Sequence, residues 1–283
     1  MLPWQLFAES PRMSDAIDLD AYLRRIGFRA ALSPDLPTLR ALAVAHAAAI
    51  PFENLDPLCG VPVRLGLDAL QRKLLHEGRG GYCFEQNLLF AAALRAIGFT
   101  VHGLIARVLW NQPEDAITAQ THMLLRVEAD GESWLTDVGF GSMNLAGALR
   151  LEPGVAQATE LEPFRLLEQG DEWRMQACVR GDWLTLYRFD LQPRAFIDYV
   201  VANHYVSTYP ESNFVQHLIA ARTMRDRRLT LRDREFTVRR PAAEPERRTL
   251  GNSAEICRVL EQEFGLRLPD RAALERRLDV LPG

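Results

Sequence analysis

The spacing of hydrophobic and polar residues divides the chain into regions with different periodic patterns. Up to residue 97, apolar residues recur with the three-to-four-residue period of amphipathic helices. Proline near a helix start and glycine just past a helix end mark the boundaries of these segments. The predicted helices contain Leu19, Tyr22, Leu23 and Ile26 before Gly27; Leu39, Leu42, Ala43 and His46 after Pro37 and Thr38; and Leu88, Phe90, Leu94 and Ile97 before Gly98.

Between residue 99 and about residue 200, short runs of alternating polar and apolar residues replace the helical period. Glycine, proline and aspartate interrupt these runs, as is typical of strands joined by turns. The pattern predicts an antiparallel barrel or sandwich. The clearest predicted strands are residues 101–110, 122–128, 134–138 and 183–189.

The last region mixes both patterns. Residues 228–231 and 236–238 predict a hairpin. A helix is expected to begin near Asn252 and to end at Gly265, and a final helix follows Asp270. The whole chain therefore predicts an α+β fold.

Composition narrows the classes of function. The chain has 283 residues, 48% of them hydrophobic, and a formal net charge of -4. A chain of this length and hydrophobic content can bury a sizeable core. The absence of an excess of basic residues argues against a nucleic-acid partner. The longest apolar runs, residues 41–50 and 88–97, are too short to cross a bilayer. The first residues lack the pattern of a secretory signal, and residues 1–12 are set aside as an extension before Met13.

The segment from Arg79 to Asn87 contains the best candidate nucleophile. Gly80 and Gly81 permit a tight turn, and helical periodicity begins just after them. Cys83 is therefore expected at a helix N-terminus, where unpaired N–H groups favour the thiolate and can stabilise an oxyanion. Taken alone, a free cysteine is more often an ordinary core residue.

The other cysteines lack this setting and are interpreted as structural. They show no CxxC pair and no disulfide spacing, which fits a reducing cytoplasm. The histidines are dispersed and no HExxH motif is present, so no metal site is predicted. The three cysteines interpreted as structural are Cys59 in a loop, Cys178 in a strand and Cys257 in a helix.

A thiol nucleophile needs a base, and the base needs a third group to orient it. Asp130-Gly131 lies between two alternating runs and predicts a two-residue hairpin turn of type I′. In that register Val127 faces Trp134, and Leu124 faces Asp137. His122 and Asp137 then lie on one face as diagonal neighbours, roughly 7–8 Å apart at the backbone, within reach of a hydrogen bond.

Each of these two residues alone has a more ordinary interpretation. A single histidine in a strand is more often structural, and an aspartate at a strand end is more often a loop cap. Their shared face, with a cysteine at a helix start upstream, favours catalysis. The remaining histidines have no obvious carboxylate companion: His46, His76, His102, His204 and His217.

At these residues the sequence resembles the arylamine N-acetyltransferases. Residues 79–87 match the RGGxCxExN block of that family, and residues 137–141 match its DVGFG block. Residues 121–123 are similar to its catalytic-histidine strand, and residues 50–55 to its IPFENL element. Residues 203–214 resemble the segment that opens its last domain.

The resemblance implies a papain-like architecture in three parts. These are a helical bundle carrying the nucleophile (residues 1–97), a β-barrel carrying the histidine and aspartate (residues 98–200), and an α/β lid (residues 201–283). It also implies acetyl-CoA as co-substrate without a permanently bound cofactor. The implied acceptors are arylamines, hydrazines or N-hydroxyarylamines, which is the chemistry of xenobiotic metabolism.

The resemblance also assigns residue roles. Its catalytic triad corresponds to Cys83, His122 and Asp137. It places Gly139 and Gly141 near the coenzyme pyrophosphate and Phe214 near the pocket for acceptor and donor, so all three are candidate coenzyme contacts. Glycines at such a turn let backbone N–H groups approach an anion such as the pyrophosphate.

Two other interpretations stay open from the sequence. A cysteine hydrolase of the papain or transglutaminase type shares the chain order of Cys, His and Asp, with water as acceptor. A non-enzymatic binder that keeps the fold is the second. The arginine-rich residues 222–240 are interleaved with acids and predict solvated strands, with the coenzyme 3′-phosphate as another candidate contact. The physiological acceptor and the oligomeric state are not legible from the sequence.

Overall fold

The computed structural model of the chain describes residues 16–241 and 243–280. The predicted extension, residues 1–12, lies outside the described residues. Over the described ranges, no helix is long and apolar enough to cross a membrane. The α-helices of the described residues are α1 (Leu19–Ile26), α2 (Leu36–Ala49), α3 (Leu55–Leu58), α4 (Leu67–Leu70), α5 (Cys83–Ile97), α6 (Phe196–Thr208), α7 (Asn213–Gln216), α8 (Ser253–Gln262) and α9 (Arg271–Asp279).

The helix boundaries follow the capping residues in the sequence. Asp18 accepts a hydrogen bond from the backbone N–H of Ala21 at 2.8 Å and so caps α1. Gly27 ends the same helix with a positive φ of 67°. The predicted helices around α1, α2, α5, α8 and α9 are confirmed.

The strands form two antiparallel sheets. The larger sheet has the order β5-β4-β3-β2-β8-β7-β6, and the smaller has the order β1-β9-β10-β11-β12. The strands are β1 (Phe52–Glu53), β2 (Thr100–Val108), β3 (Gln120–Ala129), β4 (Glu132–Thr136), β5 (Ala148–Arg150), β6 (Phe164–Gln169), β7 (Glu172–Val179), β8 (Asp182–Phe189), β9 (Ile219–Thr223), β10 (Arg228–Arg232), β11 (Glu235–Arg239) and β12 (Glu246–Thr249).

The larger sheet nearly closes into a barrel. After β5, the chain crosses to the opposite edge, where Gly154 and Gln157 form backbone hydrogen bonds with β6. Closure of this kind protects edge strands from further pairing. The prediction of an α+β fold with an antiparallel barrel is confirmed.

The smaller sheet joins the helical region to the C-terminal region. Phe52 of β1 pairs with Ala221 of β9, so a strand from the helical region lies at the edge of the C-terminal sheet. The predicted hairpin is present as β10 and β11. The domain boundaries at residues 97 and 200 stay a prediction.

The turn between β3 and β4 has the predicted geometry. Asp130 and Gly131 both have positive φ, 52° and 77°, as a type I′ turn requires. Val127 pairs with Trp134 as predicted, and pairing ends one step before Asp137. The hairpin register that places His122 and Asp137 on one side is therefore correct.

Both faces of this hairpin are buried. Met123 and Leu125 pack into a cluster shared with α1, α2 and α5, on the face predicted as core. Leu124 and Leu135, on the other face, pack inside the barrel. The site residues therefore lie on a strand that is buried on both faces.

Helix α6 corrects one part of the secondary-structure prediction. Strands were expected up to about residue 200, but residues 196–200 are helical. The β-branched residues Ile197, Val200 and Val201 suggest a strand by propensity. The Asp198 carboxylate accepts the backbone N–H of Ala195 at 3.0 Å and caps the helix start instead.

The hairpin turn provides a test of this register. Replacing Gly131 with Ala should destabilise the protein by about 1 kcal/mol, because a side chain disfavours positive φ. No atom lies within 4 Å of a Cβ built on Gly131, so the loss of stability would come from the backbone conformation alone. Gly147→Ala is the matched control, since its φ is not positive and its Cβ would come no closer than 3.7 Å to another atom. Urea unfolding measures both, and equal losses would contradict the turn assignment.

Candidate active site

The candidate nucleophile is the first residue of α5. Cys83 follows the Gly80-Gly81 turn after one residue, Tyr82, and begins the helix as predicted. Its side chain is buried, and its Sγ lies 3.5 Å from the carbonyl oxygen of Thr121 on β3. The first N–H groups of a helix lack partners within the helix and favour negative charge. The sulfur therefore lies at the positive end of the α5 dipole.

The two glycines before Cys83 are required by close packing. A Cβ on Gly80 would lie 2.0 Å from the carbonyl oxygen of Pro51. A Cβ on Gly81 would lie 2.6 Å from a carboxylate oxygen of Glu85. That carboxylate accepts the backbone N–H of Tyr82 at 3.0 Å, which holds the entry to the helix.

His122 and Asp137 form a buried pair. The Nε2 atom of His122 lies 2.7 Å from Oδ2 of Asp137, and both side chains are almost fully buried. The ring of His122 also contacts the rings of Phe140 and Tyr187, with centroids 5.0 and 4.9 Å away. These contacts fix the orientation of the imidazole.

The electrostatics of the pair favour a protonated imidazole. Burial lowers the pKa of His122, but the charge and hydrogen bond of Asp137, with a smaller contribution from Cys83, raise it to about 10. Burial likewise raises the pKa of Asp137, yet His122 and the N–H donors around the carboxylate hold it below its ordinary value. At neutral pH the imidazole of His122 is protonated and paired with the Asp137 carboxylate.

Two further side chains hold Asp137, and sequence analysis missed both. Asn87 donates from Nδ2 to Oδ1 of Asp137 at 3.1 Å. The hydroxyl of Tyr187 on β8 donates to Oδ2 at 3.1 Å. Asn87 belongs to the same sequence block as Cys83, one helical turn on, so its spacing could have indicated it. The sequence around Tyr187 does not indicate its contact with Asp137, because the two residues are 50 positions apart.

Gly139 has a packing role. A Cβ there would lie 2.7 Å from Cα of Cys83 and 2.8 Å from Nδ2 of Asn87. Its N–H donates to Oδ1 of Asp137 at 2.9 Å. Glycine at this position therefore allows the loop after β4 to approach the start of α5.

Comparisons with known proteins identify the family of the chain. A family model described as N-acetyltransferase matches residues 35–273. An arylamine N-acetyltransferase of Mycolicibacterium smegmatis is 44% identical over 91% of this chain and 94% of its own length. The chain belongs to the arylamine N-acetyltransferase family. It is an acyltransferase, and the resemblance inferred from its motifs is confirmed.

The names of two further relatives mention a ligand or an acceptor. The structure of a Mycobacterium marinum arylamine N-acetyltransferase in complex with CoA aligns with a TM-score of 0.91 and 42% identity, covering 94% of this chain and all of that one. A Salmonella typhimurium relative, 38% identical over 89% of this chain and 90% of its own length, is named as both an arylamine N-acetyltransferase and an N-hydroxyarylamine O-acetyltransferase.

The other residues that the family resemblance assigned to the coenzyme lie near the nucleophile. Phe214 packs against Tyr82, the residue before Cys83, with ring centroids 5.4 Å apart, and against Phe52 at 5.9 Å. A Cβ on Gly141 would lie 3.5 Å from the Phe52 ring. The coenzyme roles of Gly139, Gly141 and Phe214 stay predictions.

Two other histidines contrast with His122. His46 is buried against Tyr22 and Gln86, and burial lowers its pKa to about 4. His217 was expected to have no acidic companion, and this is wrong. Its Nδ1 lies 2.8 Å from Oδ2 of Asp233, a partner 16 residues away that the local sequence does not reveal.

The ionisation of His122 can be measured directly. We expect its imidazole to titrate near pH 10 in the unaltered protein and at a much lower pH in Asp137→Asn, because the largest contribution that raises the pKa is then removed while burial still lowers it. NMR titration of the ring protons gives both values. His46 should titrate at about 4 in both proteins and serves as the control. A His122 midpoint that does not move on substitution would contradict the pairing.

The same shift links stability to pH. The folded pKa of His122, about 10, lies above the unfolded value of about 6.5. Its contribution to the free energy of unfolding is therefore complete below about pH 6.5 and declines as pH rises towards 10. Urea unfolding across this range should show a smaller decline for Asp137→Asn than for the unaltered protein. Parallel decline in both would count against the ion pair.

Proposed function

We propose that the protein transfers an acetyl group from acetyl-CoA to an aromatic amine through an acetyl-Cys83 intermediate, with Cys83, His122 and Asp137 as the catalytic triad. The observation that carries the proposal is the buried His122–Asp137 contact of 2.7 Å beside a cysteine at a helix start. Nucleophile, base and orienting carboxylate are the three roles that such chemistry needs.

In the first half-reaction, His122 holds the proton of the Cys83 thiol as an imidazolium. The thiolate attacks the thioester carbonyl, and the N–H groups at the start of α5 lie where they can stabilise the oxyanion. The tetrahedral intermediate collapses with cleavage of the bond to the coenzyme sulfur. His122 gives its proton to the leaving thiolate, so coenzyme A leaves as the thiol.

In the second half-reaction, a neutral amine attacks the acetyl-cysteine carbonyl. His122 now lacks its proton and accepts the one that the amine nitrogen loses. General-base assistance of this kind contributes roughly 10²–10⁴-fold. The thiolate of Cys83 leaves, and the ion pair with His122 is restored. Donor and acceptor react in turn, so the kinetics should be ping-pong.

The proposed substrates follow from the family. Acetyl-CoA is the donor, supported by the CoA complex of the Mycobacterium marinum relative. Arylamines, hydrazines and N-hydroxyarylamines are the acceptors, the last supported by the name of the Salmonella relative. Gly139, Gly141 and Phe214 are the proposed coenzyme contacts. A catalytic thiol and three other free cysteines suit a reducing compartment, and we assign the enzyme to the cytoplasm.

The intermediate can be observed by mass. Incubating the protein with acetyl-CoA and no amine should add one acetyl group, and the Cys83→Ala variant should gain none. Cys59→Ala is the matched control, because Cys59 is an exposed thiol, and it should acetylate like the unaltered protein. Acetylation of Cys83→Ala to the same extent would contradict the proposed intermediate.

The acceptor distinguishes transfer from hydrolysis. Adding an arylamine should remove the acetyl group from the protein and yield the N-acetyl product. Coenzyme A release should continue only while amine remains. Equal release with and without amine would indicate that water is the acceptor, as in a cysteine hydrolase.

A further inference from the structure

Lys73 and Glu85 form a buried ion pair at the helix that carries the nucleophile. The ammonium of Lys73 lies 2.7 Å from Oε1 of Glu85, and the two side chains are 13% and 1% exposed. Glu85 belongs to the first turn of α5, as Cys83 does. Removing one partner of a buried pair leaves the other charge without compensation. The state of this pair is therefore expected to affect the start of α5.

The second oxygen of Glu85 holds the peptide that leads into the nucleophile. Oε2 accepts the backbone N–H of Tyr82 at 3.0 Å. Glycine at position 81 permits this approach, because a Cβ on Gly81 would lie 2.6 Å from the same oxygen. A hydrogen bond to an ionised acceptor is roughly twice as strong as one to a neutral acceptor. Ionised Glu85 therefore fixes the start of α5, and with it Cys83, more firmly than protonated Glu85 does.

The charges around Glu85 make its ionisation depend on Lys73. Arg79 lies 2.8 Å from both Glu53 and Asp56, so these two acids keep a cation when Lys73 is removed. In the part of the chain that the structure describes, Glu85 forms an ion pair with Lys73 alone. Burial raises the pKa of Glu85 to about 7, with a further contribution from the neighbouring acids, and Lys73 opposes this rise. Without the ammonium, the pKa moves above 7.

Lys73 lies on a segment with a rare backbone conformation. Residues Gln71–His76 are π-helical and continue directly from α4. Turns of this kind are uncommon and are frequent at functional sites. Lys73 and Glu85 also line an open groove of about 350 Å³, through which the pair can exchange protons with solvent. The other charged residues of this groove are Asp56, Arg64, Arg72 and Glu77.

We propose that Lys73 is a positioning residue for Cys83, because its ammonium keeps the Glu85 carboxylate ionised. The ionised carboxylate holds the Tyr82 N–H and thereby fixes where the sulfur lies. Protonation of Glu85, or loss of Lys73, weakens this bond and loosens the start of α5. The inference rests on the proposed function, in which Cys83 is the nucleophile. Lys73 acts through Glu85 and not on the reacting atoms.

The amide of Tyr82 reports the ionisation of Glu85 directly. In isotope-labelled protein its NMR resonance should titrate with a midpoint near pH 7, because its N–H binds that carboxylate. Lys73→Met should raise the midpoint by about one pH unit or more, whereas Lys73→Arg, which keeps the charge, should not. Arg72→Met is the matched control, since Arg72 is 63% exposed and lies 3.9 Å from Asp68 instead. It should leave the midpoint unchanged.

The reactivity of Cys83 gives a second readout. At pH 7, Cys83 in Lys73→Met should react with iodoacetamide about fivefold more slowly, since a one-unit shift leaves about a tenth of Glu85 ionised instead of half. The double variant Lys73→Met/Glu85→Gln should recover, because the glutamine oxygen can accept the Tyr82 N–H and no charge is left unpaired. It also keeps the test valid if Lys73→Met alone fails to fold. Mass spectrometry of the peptide that contains Cys83 measures the rate.

Three results would overturn the inference. They are an unmoved Tyr82 midpoint in Lys73→Met, an equal change in Arg72→Met, or slow alkylation that persists in the double variant. Alkylation needs no coenzyme, so it tests the position of Cys83 even if acetyl transfer is absent. The expected alkylation rates without any acetyl adduct would count against the proposed function alone. Acetylation of Lys73→Met at the rate of the unaltered protein would count against the role of Lys73 alone.

Discussion

One side chain joins the helix that carries the nucleophile to the sheet that carries the base. Asn87 donates from Nδ2 to the carbonyl of Met123 at 2.8 Å and to Asp137 at 3.1 Å, and its Oδ1 accepts the N–H of Val138 at 3.2 Å. These groups are buried, so leaving one unpaired costs about 1–3 kcal/mol. Since Asn87 lies one turn after Cys83 on α5, these bonds also fix the distance between the sulfur and the carboxylate. The rest of the site depends on this connection.

A buried ionic network holds the turn that leads into α5. Lys73 lies 2.7 Å from Glu85, the residue that caps the helix, and 2.6 Å from Asp56. Arg79 lies 2.8 Å from both Glu53 and Asp56. Desolvation makes such a network a weak source of net stability, but removing one member leaves a buried charge without a partner. Burial raises the pKa of Glu85 to about 7 even though Lys73 opposes the shift. The network therefore defines the position of the turn more than it stabilises the fold.

The parts of the site that the sequence predicted are those set by local rules. Asp130-Gly131 fixes a type I′ turn, and the two-residue period of the strands then puts His122 and Asp137 on one side. The third group on Asp137 was not predictable in the same way. Tyr187 reaches it because β8 pairs with β2, and alternation along a strand does not specify its neighbours in a sheet. Helix α6 was missed because its β-branched residues favour a strand, whereas tertiary packing and its aspartate cap favour a helix.

The two buried histidines show why Asp137 decides the chemistry. Burial lowers the pKa of both, and His46, without a carboxylate, remains neutral with a pKa of about 4. His122 beside Asp137 reaches about 10 and is protonated at rest. An imidazolium cannot accept a second proton, so in the proposed mechanism it is unable to assist an incoming amine. It becomes a base only after its proton has left with coenzyme A. The carboxylate that creates the reactive ion pair thus also imposes the order of the two half-reactions.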